Sequence, residues 1–139
     1  MVKLILVDTS VLIDYLKGIE NVKTCLFEKV IKQKIPFGIS SYTYQEVLQG
    51  ARDDKEFNEL KEYLSSQNIF YLPEDIETYN DAAQMFYRLR LQEITVRSTI
   101  DILIALTCVK YDLILMHNDK DFDMIKSQVH TLRVLDELL

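Results

Sequence analysis

The segment 2–18, VKLILVDTSVLIDYLKG, decides how the rest of the chain is read. Val2 to Val7 is an apolar run broken only by Lys3 and rich in branched side chains, which predicts a central strand covered on both faces. Asp8-Thr9-Ser10 ends that run. Val11, Leu12, Tyr15 and Leu16 then recur at helical spacing, and Gly18 offers a stop. A strand that passes into a helix through an acidic, hydroxyl-bearing turn begins an alternating α/β chain.

The alternation continues outward from this segment. A helix is predicted from about Val22 to Lys34, with Val22, Cys25, Leu26, Val30 and Ile31 turned inward. Pro36 to Ile39 reads as a second strand, a helix runs from Thr43 toward Gly50, and Asp54 to Ser65 forms another with a charged face. Ile69 to Leu72 is a third strand. Ile76 to about Leu91 is a long helix, with Ala82, Ala83, Phe86 and Leu89 on one face. The helix from Ser98 to Val109 carries Ile100, Ile102, Leu103, Ile104, Ala105 and Leu106 and should be buried nearly all round. Leu113–Met116 and Thr131–Leu135 supply the last strands, around a helical stretch from about Phe122 to Lys126. No repeat, linker or low-complexity segment divides the chain, so residues 1–139 are expected to form one domain, a three-layer α/β/α sandwich around a parallel sheet of about five strands.

Composition narrows the chemistry. A chain of 139 residues that is 48% hydrophobic needs no metal or disulfide merely to fold. Gly18, Gly38 and Gly50 never fall at dinucleotide-fingerprint or P-loop spacing. Cys25 and Cys108 lie in no Cys/His cluster, which predicts two buried, reduced thiols. No apolar run reaches the length of a membrane span, and the stretch before Asp8 is too short for a signal-peptide core, so a cytoplasmic location is expected. The net charge of −6 argues against a simple basic surface for nucleic acid, yet a bound cation reverses the local field that a phosphate meets.

The acids fall where such a cation would sit. In an open parallel sheet, ligands bind beyond the carboxyl ends of the strands, near the point where strand order reverses. Asp8 follows the first strand, Glu46 the second, Asp119 and Asp121 the fourth, and Asp101 opens the oily helix ahead of the fourth. Capping offers a competing explanation. Ser98/Asp101 and Thr43/Glu46 both match the capping box, and Asp8, Ser10, Asn118 or Asp119 can cap helices. Capping does not explain an acid on the apolar side of the helix that continues through Ile104, Ala105 and Cys108. A buried unpaired carboxylate is costly, and neighbouring carboxylates raise one another's pKa. Mg²⁺ or Mn²⁺, which prefer carboxylate and water oxygens, resolve that conflict.

Four blocks in register, D8TSVLID, E46VLQG, S98TIDILIA and H117NDKDF, resemble the PIN-domain ribonucleases, and most nearly the VapC-type toxins of toxin–antitoxin pairs. The resemblance implies an α/β/α sandwich, commonly homodimeric, that cuts RNA with Mg²⁺ or Mn²⁺. Its acids fall on Asp8, Glu46, Asp101 and Asp119, with Ser10 steadying the first. The chain departs from the pattern in lacking a glycine between Gln92 and Arg97, and in carrying His117 where Thr or Ser is frequent. On this reading Asp8 and Asp101 hold the main ion, Glu46 binds or positions the attacking water, and Asp119 completes the site or holds a second ion. Ser98 and Asp121 support it, the latter as a cap or an extra ligand. Arg97 and Lys120 are candidate RNA contacts, and an antitoxin protein is the expected partner.

Three other readings compete with this one. A haloacid-dehalogenase-like phosphatase needs an acid where Ser10 stands, and a receiver domain needs a phosphorylatable Asp where Leu72-Pro73-Glu74 stands. A PIN-like binding or scaffold module without catalysis is the third, and it shares the fold.

Overall fold

The structure is a computed structural model that describes residues 4–136. Its sheet contains β1 (Ile5–Val7), β2 (Phe37–Ser40), β3 (Ile69–Phe70), β4 (Ile114–Met116) and β5 (Arg133–Val134). All are parallel, in the order β3-β2-β1-β4-β5. Ile5 stands opposite Phe37 on one side and Ile114 on the other, so the strand opened by the first apolar run is central. Strand order reverses about β1, and the crevice beyond its carboxyl end is the natural place for a ligand.

Seven helices cover the described sheet: α1 (Thr9–Leu16), α2 (Val22–Lys32), α3 (Ser41–Gln49), α4 (Asp54–Ser65), α5 (Ile76–Leu91), α6 (Thr99–Tyr111) and α7 (Lys120–Gln128). Side-chain alternation along β1 assigns the layers. Ile5 and Val7 pack with Val11, Leu12, Phe27, Val30, Val47 and Leu64 from α1 to α4. Leu6 packs on the other face with Leu89, Ile102, Leu106, Phe122 and Ile125 from α5 to α7. The three-layer α/β/α arrangement read from the alternation is therefore the one observed. Gly38 allows β2 and β3 to approach, since a Cβ there would lie 2.7 Å from the Asn68 carbonyl and from the Phe70 ring.

Several details differ from the expectation. The buried stripe of α2 is Thr24, Leu26, Phe27 and Val30, whereas Val22, Ile31 and Cys25 are exposed. Phe27, the largest side chain available, takes the core position, and the helix turns about its axis accordingly. Cys25 is therefore not a buried thiol, while Cys108 is, with its pKa pushed up by burial. Ala83 is exposed, and α5 buries Thr78, Ala82 and Leu89 instead.

The strands are shorter than their apolar runs because the ladder ends where pairing ends. Val2 and Lys3 lie outside the described residues, and Leu72 and Thr131 flank β3 and β5. The helix of the fourth crossover is longer than expected, beginning at Lys120 and ending at Gln128.

Candidate metal centre

Asp8 terminates β1 and caps α1. Its backbone N–H donates to the Met116 carbonyl at 2.9 Å, which ties the turn to the end of β4. Its Oδ2 accepts from the Ser10 N–H at 3.0 Å and from the Ser10 hydroxyl at 2.6 Å. The same hydroxyl accepts from the Asn118 N–H at 2.9 Å. Ser10 thus fastens together the loops after β1 and β4, a larger role than steadying one acid. Burial pushes the Asp8 carboxyl up to about 6 against the lowering effect of the Ser10 bonds, and the charge of Glu46 adds to the rise.

Glu46 lies in the second turn of α3. Its capping-box explanation fails, because Ser40 is the cap and accepts from the Thr43 N–H at 3.0 Å. The Glu46 side chain instead meets Thr9 across the site, with the Thr9 hydroxyl donating to Oε1 at 2.7 Å. Thr9 Oγ1 lies 3.0 Å from Thr43 Oγ1, which lies 3.3 Å from Ser40 Oγ. Each hydroxyl owns one proton, and that of Thr9 is committed to the carboxylate. Ser40, Thr43 and Thr9 therefore form a file of hydroxyls ending on Glu46. Ser40 and Thr43 are fully buried. None of the three was singled out for this role in the sequence, although all lie at the mouths of the first two strands.

Asp101 sits in the first turn of α6, half-buried. The reciprocal capping box is not formed there either, since Ser98 Oγ accepts from the Ile100 N–H at 3.1 Å. Desolvation and the charges of Asp8, Asp119, Asp121 and Glu46, in that order, push the Asp101 carboxyl up to about 7. All the acids singled out in the sequence thus act on one carboxyl.

Asp119 caps α7 through the Asp121 N–H at 2.9 Å. Its own N–H donates to His117 Nδ1 at 3.1 Å. His117 is buried, which pushes its pKa down, and its Nε2 lies 3.5 Å from Asp123 Oδ1 without hydrogen-bond geometry. The neutral imidazole accepts at the turn through Nδ1, much as a Ser or Thr hydroxyl would.

Asp121 is nearly fully buried, which the spacing did not foresee. Carboxylate oxygens of Asp101, Asp119 and Asp121 lie within 4.8 Å of one another. Asp121 Oδ2 meets Arg97 Nε at 3.2 Å, while its Oδ1 is buried without a hydrogen-bond partner. Arg97 Nη2 lies 3.6 Å from Asp119 Oδ1. Lys120 is exposed and makes no ion pair among the described residues.

The PIN domain profile matches residues 5–127, and the chain belongs to that family. It is 25% identical over 123 residues to the VapC ribonuclease Mb1587 of Mycobacterium bovis, covering 88% of this chain and 91% of the relative. Ribonuclease VapC11 of Mycobacterium tuberculosis matches to the same extent.

Among solved structures, DNA-bound VapBC from Salmonella typhimurium superposes with a TM-score of 0.72 at 18% identity, covering 97% of this chain and 98% of the other. A toxin–antitoxin complex from Klebsiella pneumoniae gives 0.65 at 23% identity, covering 96% and 99%. These likenesses establish the fold.

Proposed function

We propose that this chain is a divalent-metal-dependent endoribonuclease and the toxin of a toxin–antitoxin pair. The observation that carries the reading is the meeting of acids at the strand-order reversal, where Asp101, Asp119 and Asp121 present oxygens within 4.8 Å of one another and the charges of Asp8, Glu46, Asp119 and Asp121 all bear on Asp101. The ribonuclease names of the VapC relatives support the RNA substrate, and the VapBC structures support an antitoxin partner.

The residues present fit a hard cation. Asp121 Oδ1 is a buried oxygen without a partner, burial and neighbouring carboxylates push Asp8 and Asp101 up, and every donor is oxygen. Asp8, Asp101, Asp119 and Asp121 would hold Mg²⁺ or Mn²⁺, with Asp121 a ligand rather than a supporting cap. When bound, the ion offsets the charge that develops on the phosphoryl oxygens and on the departing ribose oxygen.

The protein's own groups do the rest. Glu46, aimed by Thr9, orients the attacking water and accepts its proton. Attack on phosphorus breaks the bond to the 3′ oxygen, which leaves a 5′-phosphate and a 3′-hydroxyl with no use of the 2′-hydroxyl. Ser10 fixes the Asp8 carboxylate and the first turn of α6 carries that of Asp101, so the oxygens that would hold the ion are oriented before a substrate arrives.

A second copy of the chain completes the proposal. Helix α5 exposes Ile76, Tyr79, Tyr87 and Leu91, an apolar surface suited to a second copy of the chain, which light scattering would report. No helix among the described residues is long and apolar enough to cross a membrane.

The deciding experiment is RNA cleavage by the purified chain with Mg²⁺ or Mn²⁺, against chelator and against Asp8→Asn and Asp101→Asn. Cleavage that needs the ion and both acids is expected. Ion-independent cutting, or full activity in both variants, sinks the mechanism. Ion binding without any cleavage would leave the scaffold module.

A further inference from the structure

Arg97 stands out as the basic group that touches the acid cluster. It lies in the turn between α5 and α6, where Val96 is buried and Ser98 caps α6, so its backbone is pinned on both sides. Its side chain is 68% exposed and reaches the cluster only with its tip. One nitrogen hydrogen-bonds Asp121 Oδ2 at 3.2 Å, and another approaches Asp119 Oδ1 at 3.6 Å.

These two carboxylates belong to the trio whose oxygens lie within 4.8 Å of one another. A divalent ion drawing on that trio must bring their oxygens to about 2 Å from itself, where a guanidinium held on Asp121 Oδ2 and beside Asp119 opposes it by charge. The guanidinium never deprotonates, so the opposition is one cation against another at every working pH. Because the arm is exposed, letting it go costs little.

We propose that Arg97 is an internal counter-cation which holds Asp119 and Asp121 until a divalent ion displaces it, so that the chain sets its own threshold for ion loading. The proposal rests on reading the acid cluster as a cation site. It gives Arg97 a first duty toward the acids rather than toward RNA, and it makes the ion-free form of the cluster an ordered, partly neutralised state instead of a set of repelling charges. Loading then depends on ionic strength, since salt weakens the exposed pair more than it weakens the buried ligands.

The test is Mn²⁺ binding to the full chain by titration calorimetry and by the electron paramagnetic resonance signal of free Mn²⁺, comparing wild type with Arg97→Gln and Arg97→Lys. Arg97→Gln should bind Mn²⁺ roughly three- to tenfold more tightly, with Arg97→Lys between the two and the gap narrowing in high salt. Equal or weaker binding in Arg97→Gln overturns the proposal, as does failure of all three proteins to bind Mn²⁺. A brace for α7 would instead show as weaker binding with a lowered melting temperature.

RNA cleavage at saturating Mn²⁺, run in parallel, separates this proposal from the functional reading. Tighter binding in Arg97→Gln with no cleavage by any form retains the counter-cation and sinks the ribonuclease. Cleavage with unchanged Mn²⁺ affinity does the reverse.

Discussion

The two walls of the acid site handle negative charge in different ways. On the wall built by β1, α1 and α3, Asp8 and Glu46 take hydrogen bonds from neutral hydroxyls, those of Ser10 and Thr9. On the wall built by α6 and α7, Asp101, Asp119 and Asp121 crowd together and Arg97 supplies the counter-charge. The consequence is visible in the pKa values. Asp8 is almost fully buried yet rises only to about 6, whereas half-buried Asp101 rises to about 7. Hydrogen bonds to the charged form offset desolvation at Asp8, while like charges add to it at Asp101. Neutral donors fix where a carboxylate points, and only a cation or a proton removes the repulsion.

The largest expected effect breaks the charged wall. Asp101→Asn should lower RNA cleavage roughly 100-fold or more at fixed Mn²⁺. Without metal at pH 8 it should melt higher than wild type, because one repelling charge is gone. Asp8→Asn should lose as much activity and gain less stability. An equal gain in the two variants would erase the difference between the walls.

Next comes pH. Both Asp8 and Asp101 are raised above 3.8, so the folded metal-free chain binds protons more tightly than the unfolded chain between about pH 4 and about pH 7. Stability from these groups is full below that window and lost as pH rises through it. The metal-free melting temperature should therefore fall, by roughly 5 °C or more, between pH 5 and pH 8. Added Mn²⁺ should restore it most at the upper end. A flat profile in the absence of metal would show that the acids are neutralised by other means.

The neutral wall is tested by Thr9→Val, which removes the hydroxyl that aims Glu46 and keeps the shape. Cleavage should fall about tenfold while Mn²⁺ affinity changes little. A parallel loss of Mn²⁺ affinity would place Glu46 among the direct ligands. The smallest effect is Ser10→Ala, which removes a hydroxyl bonded to both Asp8 and the Asn118 N–H and should cost about 1–2 kcal/mol by denaturant titration.

Much of the fold was legible because local patterns carry it. The run through Val7 is buried on both faces, and the all-apolar reading of α6 holds through Ile102, Ile104, Ala105 and Leu106. Rotation of a helix about its axis was less legible. At α2 the apolar set offered two faces, and Phe27 rather than Val22 or Cys25 took the core because its volume fills the space beside Tyr15 and Phe37. At the site, the acids at strand ends were visible, while Asp121 read as a cap because its neighbours Asp101 and Arg97 lie on the far side of α6 and β4 in sequence.

By itself the sequence determined the alternation of strands and helices and placed an acid after β1, β2 and β4, since apolar periodicity and helix-start chemistry act over a few residues. The tertiary structure alone decided which partners those acids meet. The order β3-β2-β1-β4-β5 brings the ends of β1, β2 and β4 side by side, so that Thr9 reaches Glu46, Ser10 reaches Asn118 and Arg97 reaches Asp121. The physical reason is that hydrogen bonds and ion pairs act over a few ångströms, and folding sets those distances between residues far apart in the chain.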